Sequence, residues 1–206
     1  MAVLKRSLLW RRLDTTGTEH ALLTEQPGLH ARGTIVAADP VAYTCAYELL
    51  VDDQGATARL TVHAEGAGWL RSVKLERALG RWHVTTGEQG NLDAALAAAG
   101  HPRSGLPGIE DAHRLIDARD VDLGYSPLFN SLPLRRLFLA HDKPGTQHTM
   151  TVAWVLMPAL DVMPARQTYT TLGNGLIRYE SGSFAADLTV DGDGFVRRYP
   201  GLAELV

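Results

Sequence analysis

The sequence predicts a mainly β protein, in which a curved antiparallel sheet forms a barrel or half-barrel and helices are minor. The first observation is a period-two alternation of apolar and polar residues, as at positions 58–63, which is typical of half-buried antiparallel strands. The second is the presence of short turn signals between such segments. They are DDQG at 52–55, ALG at 78–80, LGNG at 172–175 and DGDG at 191–194. Because such turns suit hairpins, we expect a meander of neighbouring strands.

Five segments carry the clearest strand pattern. They are 43–51, 58–63, 69–76, 150–156 and 184–190. Cys45 lies in the first of them, on one face with tyrosine and leucine side chains, so we interpret it as a small core residue. Only LDAALAAAG, at 92–100, predicts a substantial helix, with Gly100 as its C-terminal stop. GIEDAHRLID, at 108–117, predicts one or two further helical turns.

The segment DVDLGYSPLFNSLPLRRL, at 120–137, is expected to be an irregular loop, because Pro127 and Pro133 would break a helix across it. A solvated linker would not contain so many large apolar side chains. We therefore expect this loop to pack against a core and to present polar groups at a binding site. The groups able to bind polar ligands are Asp120, Asp122, Asn130, Arg135 and Arg136, and Tyr125 is a further candidate ligand contact.

Arg135 and Arg136 directly follow Pro133, and we expect them to enter a strand and point to opposite faces. The inward arginine would need a carboxylate partner. The candidate partners are Asp122, Asp14 and Glu19. Two interpretations stay open. The arginine either forms a buried ion pair that fixes the loop to the sheet, or binds the phosphate or sugar hydroxyls of an amphiphile.

Trp10 shares a strand face with Leu8 and Arg12. Tryptophan rings stack well on sugar faces, although a strand tryptophan more often belongs to a core. His20 follows Glu19 and either makes an ordinary hydrogen bond or contributes to a site. The candidate ligand-binding residues near the start of the chain are therefore Trp10, Arg12 and Glu19.

Composition excludes several classes of protein. The 206 residues are 45% hydrophobic and 21% charged, which is ordinary for one globular domain or two fused halves. A formal charge of −3 predicts no broad attraction to nucleic acid. No apolar run approaches the roughly 20 residues of a membrane-spanning helix. The apolar run SLLW ends at Arg11, too early for a secretory signal, and Cys45 is the single cysteine. We therefore expect a cytoplasmic protein without a disulfide.

Motifs for catalysis, cofactors and metals are missing from the sequence. It contains no GxSxG nucleophile elbow, no GxxxxGK phosphate loop, no GxGxxG and no HExxH. DGDGF, at 191–195, begins like a calcium loop but has Leu202 where the twelfth-position glutamate would stand. The eight histidines have no close ligand spacing. We therefore expect no cofactor, no metal site and no catalytic residue that a motif would identify.

A short internal repeat points to two related halves. LLVDDQGATARL, at 49–60, aligns without a gap with LTVDGDGFVRRY, at 188–199. Any tight hairpin selects aspartate and glycine, so this match alone leaves duplication and coincidence equally open. If the halves are duplicated, one long curved sheet from both of them would enclose an apolar interior.

Three blocks carry a resemblance to a known family. LLWRRLDTTGTEHA at 8–21, the segment at 120–137 and VRRYPGL at 196–202 resemble the bacterial family named putative glycolipid-binding. The resemblance implies one domain over residues 1–206, with an internally duplicated half-open β-barrel similar to that of the LolA and LolB lipoprotein carriers. It also implies ligand binding without an established reaction. The chain departs from the family pattern at about 90–118, where we expect an enlarged, partly helical connection.

Three functional hypotheses follow. The first is non-catalytic binding of an amphiphilic small molecule or glycolipid in the cavity of the sheet. Its polar head would lie near Arg135, Arg136, Asp122, Asn130 and Trp10. The second is an enzyme for a small apolar or lipid-like substrate, with Asp122 or His20 as acid or base. The third is an interaction module that forms a homodimer through exposed sheet edges.

Overall fold

The structure, a computed structural model, describes residues 4–25 and 28–206. Its dominant element is one curved sheet of fourteen strands, and strands make up 57% of the described residues. The strands are β1 (Leu4–Arg12), β2 (Gly17–Glu25), β3 (Leu29–Ala37), β4 (Tyr43–Val51), β5 (Thr57–Gly66), β6 (Trp69–Ala78), β7 (Arg81–Gly90), β8 (Ala118–Leu123), β9 (Gln147–Leu156), β10 (Asp161–Gly173), β11 (Leu176–Ser181), β12 (Phe184–Val190), β13 (Val196–Tyr199) and β14 (Ala203–Leu205). The prediction of a mainly β fold is confirmed.

The order of strands across the sheet runs from β7 down to β1 and then from β14 down to β8. Neighbouring strands are antiparallel, except that β8 and β9 are parallel. The sheet does not close into a barrel, so β7 and β8 are its edges. The indole of Trp82 on β7 donates a 3.0 Å hydrogen bond to the carbonyl of Ala118 on β8. This side-chain bond joins the two edges of the half-barrel.

Two α-helices accompany the sheet, α1 (Leu92–Ala98) and α2 (Pro127–Arg136). The helix predicted at 92–100 is confirmed, and the side chain of Asn91 caps it by accepting a hydrogen bond from the backbone N–H of Ala94. A short 3-10 turn at Ala112–Leu115 matches the expected extra helical turn. The expectation of a single substantial helix is wrong, because α2 is the longer of the two.

The segment at 120–137 is therefore not an irregular loop, because its first part completes β8 and most of the rest forms α2. Pro127 occupies the first helical turn, where a backbone N–H has no acceptor within the helix. Pro133 lies inside the helix and removes the bond that its position would donate to the carbonyl of Phe129. All residues at 127–134 are buried. Their packing offsets the proline penalty, since burial contributes more to helix stability than propensity does.

Helix α2 lies on the concave side of the sheet and joins two groups of core side chains. Leu128 and Phe129 pack in the larger core with strands β1 to β6, and the Phe129 ring meets Tyr47 edge-on at 5.3 Å. Leu134 packs in the second core with Tyr169 and other side chains of β10 to β13. Helix α2 thus occupies the interior of the half-barrel between these two cores, where the first functional hypothesis placed the ligand cavity.

The chain between β7 and β8 is anchored by a buried arginine on β6. The Arg71 guanidinium donates to the Glu88 carboxylate at 2.7 Å, to the Gly105 carbonyl at 2.6 Å and to the Ala159 carbonyl at 3.0 Å. A guanidinium can satisfy several acceptors in one plane. Arg71 therefore fixes this connection to the sheet and to the turn between β9 and β10.

The two repeated turns have the same local geometry. The carboxylate of Asp52 accepts hydrogen bonds from the backbone two and four residues later, and Asp191 does the same. In each turn the glycine, Gly55 or Gly194, has a positive φ and lies close to the end of α2. A Cβ on Gly55 would meet Arg136 at 3.1 Å, and one on Gly194 would meet Arg135 at 3.0 Å. The repeat therefore supplies two equivalent turns that hold one helix end.

Candidate functional site

A cleft of about 460 Å³ opens at the N-terminal end of α2. The end of β8 and its connection to α2 form one side, and residues of β9, β11, β12 and β13 form the other. The side chains that line it include Asp14, Asp122, Tyr125, Asn130, Trp154, Leu156, Tyr179, Phe184 and Tyr199. Strand alternation explains the far wall, because Trp154 and Leu156 on β9 lie two residues apart and share a face. The cleft thus lies between the helix and the sheet.

Aromatic rings form the far wall of this cleft. The Tyr179 ring lies 6.2 Å from that of Phe184 and 6.0 Å from that of Tyr199, and the Phe184 and Tyr199 rings are 6.2 Å apart. Tyr169 lies behind Tyr179, with a ring separation of 5.2 Å. These separations are those of favourable aromatic pairs. The wall is therefore a rigid, largely apolar surface with phenol hydroxyls attached.

A chain of buried polar side chains forms the floor of the cleft. The Gln167 amide donates to Oδ2 of Asp122 at 2.5 Å, and the Tyr169 hydroxyl donates to Oε1 of Gln167 at 3.0 Å. The Asn130 amide donates in turn to the Tyr169 hydroxyl at 3.1 Å. Because each group is held by the next, the Asp122 carboxyl and the Asn130 amide have fixed orientations where they line the cleft.

The buried position of the floor and wall side chains shifts their pKa values. Burial raises the pKa of Asp122 to about 6, although the hydrogen bond from Gln167 acts in the opposite direction. Burial also raises the pKa of the Tyr169, Tyr179 and Tyr199 hydroxyls, and the Asp122 charge adds to that increase. The tyrosines are therefore neutral hydrogen-bonding groups near neutral pH, whereas Asp122 changes charge in a mildly acidic range.

Tyr125 forms the outer margin of the cleft and has an unusual backbone. Its φ of 69° lies in the left-handed region, which costs a non-glycine residue roughly 1–2 kcal/mol. The Arg12 guanidinium lies over its ring, 4.8 Å from the centroid, and Nε of Arg12 donates to Asp14 at 2.6 Å. The ring is nevertheless 47% exposed. Arg12 thus supports the margin from behind and does not itself line the cleft.

Two candidates from the start of the chain lie in the interior. Trp10 is fully buried, and its indole donates a 2.8 Å hydrogen bond to the Val196 carbonyl. Glu19 is buried as well, and burial raises its pKa to about 7. Its Oε1 atom accepts hydrogen bonds from Tyr47 and Ser126, while Oε2 has no partner within the described residues. Both residues lie outside the set that lines the cleft.

Arg135 and Arg136 lie at the opposite end of α2 and form ion pairs. Arg136 contacts the buried carboxylate of Asp120 at 2.6 Å, and Arg135 contacts Glu25 at 2.9 Å. The expected contact with a carboxylate is confirmed, but the expected partners Asp122, Asp14 and Glu19 are wrong. The expectation that the arginines enter a strand is also wrong. They occupy the last turn of a helix, where positive side chains are favoured by the helix dipole.

Of the two candidate acid or base groups, Asp122 and His20, only Asp122 lines the cleft. His20 is on the other face of the sheet, since it is exposed next to buried Glu19 on β2, and its ring bonds to the Ser7 hydroxyl at 2.9 Å. These two groups therefore cannot act together. Among the described residues, no cluster of three or more histidine, cysteine or acidic side chains could hold a metal ion. Cys45 is buried, and burial raises the pKa of its thiol, which agrees with a core role.

Sequence reasoning did not select the aromatic wall as a site. Tyr179 and Tyr199 were not among the candidate ligand-binding residues, and Trp154 and Phe184 were predicted only as parts of the strand segments 150–156 and 184–190. Their signal was the shared apolar face of two alternating segments, which by itself does not separate a core from a cleft. Gln167 gave no signal, because its role depends on Asp122, which is 45 residues away in sequence.

Comparisons with known proteins place the chain in a family. No curated protein matches it. A crystal structure of a DUF1089 family protein from Pseudomonas aeruginosa is similar, with 26% identity and a TM-score of 0.67 over 90% of this chain and 91% of the other. Neither helix in the described part of the chain has the length and apolar run needed to cross a membrane. The family described as "Putative glycolipid-binding" matches residues 7–204, nearly the whole sheet, and the chain belongs to that family.

Proposed function

We propose that this protein binds an amphiphilic, glycolipid-like molecule in the cleft at the N-terminal end of α2, without transforming it. The observation that carries this proposal is that an aromatic wall and a polar floor line the same cleft. The floor bears one carboxyl group and one amide group in fixed orientations. Tyr179, Phe184 and Tyr199 supply the wall, and Asp122 and Asn130 supply the floor. Apolar faces of a sugar or an acyl chain would lie on the rings, and hydroxyl groups would bond to the floor.

The size of the cleft supports this assignment. Its volume of about 460 Å³ falls within the ~300–1,000 Å³ range of small-molecule sites. Helix α2 fills the rest of the concave side, so the cleft would hold one portion of a larger amphiphile. We propose that this portion is the sugar or the part of the chain next to it, because the polar floor lies below the rings. Cytoplasmic location and a carrier role like that of LolA remain predictions.

The residues that we assign to ligand binding in the cleft differ from the candidates chosen from the sequence. We retain Asp122, Tyr125 and Asn130 as ligand contacts and add Trp154, Tyr179, Phe184 and Tyr199. Arg12 is assigned the role of positioning Tyr125, through the ring contact and the bond to Asp14. Trp10 and Glu19 are assigned to the core and to the support of α2.

An enzymatic role has one supporting observation, the pKa of about 6 of Asp122, which would suit a general acid or base. The cleft offers Asp14 as its second carboxylate, and that group is already bonded to Arg12. This environment supports binding better than catalysis. Homodimer formation through the sheet edges is less well supported, since Trp82 and Ala118 join β7 to β8.

The test is a binding measurement with a defined amphiphile. Octyl glucoside, below its critical micelle concentration, has a sugar head and one alkyl chain, and its binding can be followed by calorimetry. Phe184 is 50% exposed, so Phe184→Ala should leave folding intact and weaken binding about tenfold through lost ring contact. Phe138→Ala is the matched control, because Phe138 is exposed and does not line the cleft.

Two outcomes would overturn the proposal. Equal loss of affinity in both variants would show that the alkyl chain binds exposed aromatic surface without using the cleft. Incubation with bacterial lipid extract is the second measurement, followed by mass spectrometry of the bound and the free lipid. Release of altered lipid at many turnovers per protein would establish an enzyme in place of a binding protein.

A further inference from the structure

A second groove, of about 580 Å³, lies at the opposite end of α2 from the cleft. The beginning of β8, the end of α2 and the beginning of β9 surround it. Three arginines line it, Arg119 on β8, Arg136 on α2 and Arg166 on β10, together with one carboxylate, Asp117. His148 also lines the groove, and its ring contacts Asp142 at 2.9 Å. Among the charged side chains that line the groove itself, three are arginines and one is a carboxylate, so its wall carries an excess of positive charge.

Arg136 is held in place by a buried carboxylate. Its Nε donates to Oδ1 of Asp120 at 3.2 Å and its Nη2 to Oδ2 at 2.6 Å, while its side chain keeps 12% of its surface exposed. The pKa of Asp120 is raised, because burial outweighs the favourable charges of Arg136, Arg77 and Arg119. Several guanidinium groups thus lie near one carboxylate that only Arg136 contacts directly. A fixed guanidinium binds an anion at low entropic cost.

The guanidinium groups of the other two arginines have hydrogen-bond donors available for a ligand. Arg119 and Arg166 are both exposed, and neither forms an ion pair within residues 4–25 and 28–206. They come from β8 and β10, on either side of β9, since Ala118 pairs with Thr151 and Thr151 pairs with Arg166. Guanidinium groups without a carboxylate partner keep their donors available for the oxygens of an anion.

The edge of the sheet adds hydrogen-bond donors. Strand β9 begins at Gln147, whereas β8 joins it only at Thr151. Within the described strands, the stretch at 147–150 therefore has no neighbour on that side, and alternate backbone groups there lack a ladder partner. The side chains of Thr149 and Thr151 also line the groove. Backbone amides and hydroxyls together with arginines are the donors that bind phosphate oxygens.

We propose that this groove is a binding site for a phosphate group, held by Arg136, Arg119 and Arg166 at the C-terminal end of α2. Guanidinium groups match phosphate oxygens in pairs, which ammonium groups do not. The phosphate belongs either to a small phosphate ester or to the head of an anionic lipid. The site is separate from the cleft and does not depend on the function proposed for it. The ten residues of α2, at about 1.5 Å each, place the two sites roughly 15 Å apart.

The experiment compares two double variants of equal charge. Arg119→Gln with Arg166→Gln removes two arginines from the groove and leaves the Arg136 ion pair intact. Arg32→Gln with Arg197→Gln removes two exposed arginines from β3 and β13, which do not line the groove. Each protein is titrated by calorimetry with inorganic phosphate and with glycerol 3-phosphate, and its binding to phosphatidylglycerol and phosphatidylcholine vesicles is measured by sedimentation.

We expect saturable binding that weakens about tenfold or more in the groove variant and stays unchanged in the control variant. Binding of inorganic phosphate or glycerol 3-phosphate would identify a small ester as the source. Binding of phosphatidylglycerol vesicles alone, with the same arginine dependence, would identify a lipid head. No binding of any probe, or an equal loss in both double variants, would overturn the proposal. Phe184→Ala should leave phosphate binding unchanged, so failure of the cleft proposal would be recognised separately.

Discussion

The hydroxyl of Ser126 donates a 2.6 Å hydrogen bond to the carboxyl of Glu19, which joins the start of α2 to β2 across the interior. Tyr47 on β4 donates to the same oxygen at 2.6 Å. The other oxygen of Glu19 is buried without a partner within the described residues. Because an ionised carboxylate is costly to bury in this way, the support of α2 is coupled to the proton on Glu19.

Stability should therefore depend on pH through Glu19. Burial raises its pKa from 4.5 to about 7 in the folded state, so the folded protein keeps a proton that the unfolded chain releases. This contribution to stability is complete below about pH 4.5 and is lost as the pH rises through about 7. Glu19→Gln cannot ionise, so its stability relative to the natural protein should increase by on the order of 2–3 kcal/mol between pH 4.5 and 8.

Urea unfolding at several pH values measures this difference. Glu48→Gln is the matched control, because Glu48 is a half-exposed glutamate on β4, the strand that bears Tyr47. We expect its stability to follow that of the natural protein across the range. A constant difference between Glu19→Gln and the natural protein from pH 4.5 to 8 would contradict the coupling.

The two arginines at the end of α2 should differ in their effect on stability. Arg136→Met leaves Asp120 fully buried without its partner, which typically costs about 3–5 kcal/mol. Arg135→Met breaks a contact with Glu25 in which the side chains are 23% and 26% exposed, so we expect a loss of about 1 kcal/mol or less. Chemical denaturation of the two variants measures both values. Similar losses would show that Asp120 is neutral or finds another partner.

The five strand segments named from the sequence were predictable because each of them bears its own signal. Alternation in residues 58–63 and 69–76 depends only on neighbouring positions, and the Asp and Gly residues at 52–55 and 191–194 determine turns locally. Helix α2 was not predicted, because Pro133 would interrupt a helix and Pro127 was interpreted as a second break, although proline is favoured at the first helical position. Only the burial of residues 127–134 by distant strands makes this helix stable, and distant contacts leave no local pattern.

The candidate site was likewise predicted only in part. Asp122, Tyr125 and Asn130 were predicted from one segment that mixes polar and large apolar residues, and they meet in the cleft. The partners of Arg135 and Arg136 were predicted wrongly because an arginine in a strand and one at a helix end point in different directions. Trp10 and Glu19 were placed among ligand contacts, yet strand alternation alone does not distinguish a side chain in a core from one in a cleft.

The contact between the first repeated turn and α2 leads to a prediction about Gly55. Gly55 has a φ of 80° and would place a Cβ 3.1 Å from Arg136, whereas Gly68 has the same φ with no atom within 4 Å. Gly68→Ala should therefore cost about 1 kcal/mol from backbone strain alone. Gly55→Ala should cost about 1–3 kcal/mol more, because it also displaces the partly buried Arg136 and its contact with Asp120. Thermal unfolding of both variants measures the difference, and equal losses would show that the contact adds nothing.

Ligand binding in the cleft should depend on pH through Asp122. Its pKa is about 6, and Gln167 already donates to Oδ2, so the ionised form offers the most acceptor sites to ligand hydroxyl groups. We expect the affinity for octyl glucoside to rise several-fold from pH 5 to pH 7. Asp122→Asn keeps the size of the side chain but cannot ionise, so its affinity should be constant over this range. Calorimetry at each pH measures both proteins, with circular dichroism to verify that each remains folded. A pH-independent affinity of the natural protein, or the same pH dependence in Asp122→Asn, would show that the Asp122 carboxylate does not bind the sugar.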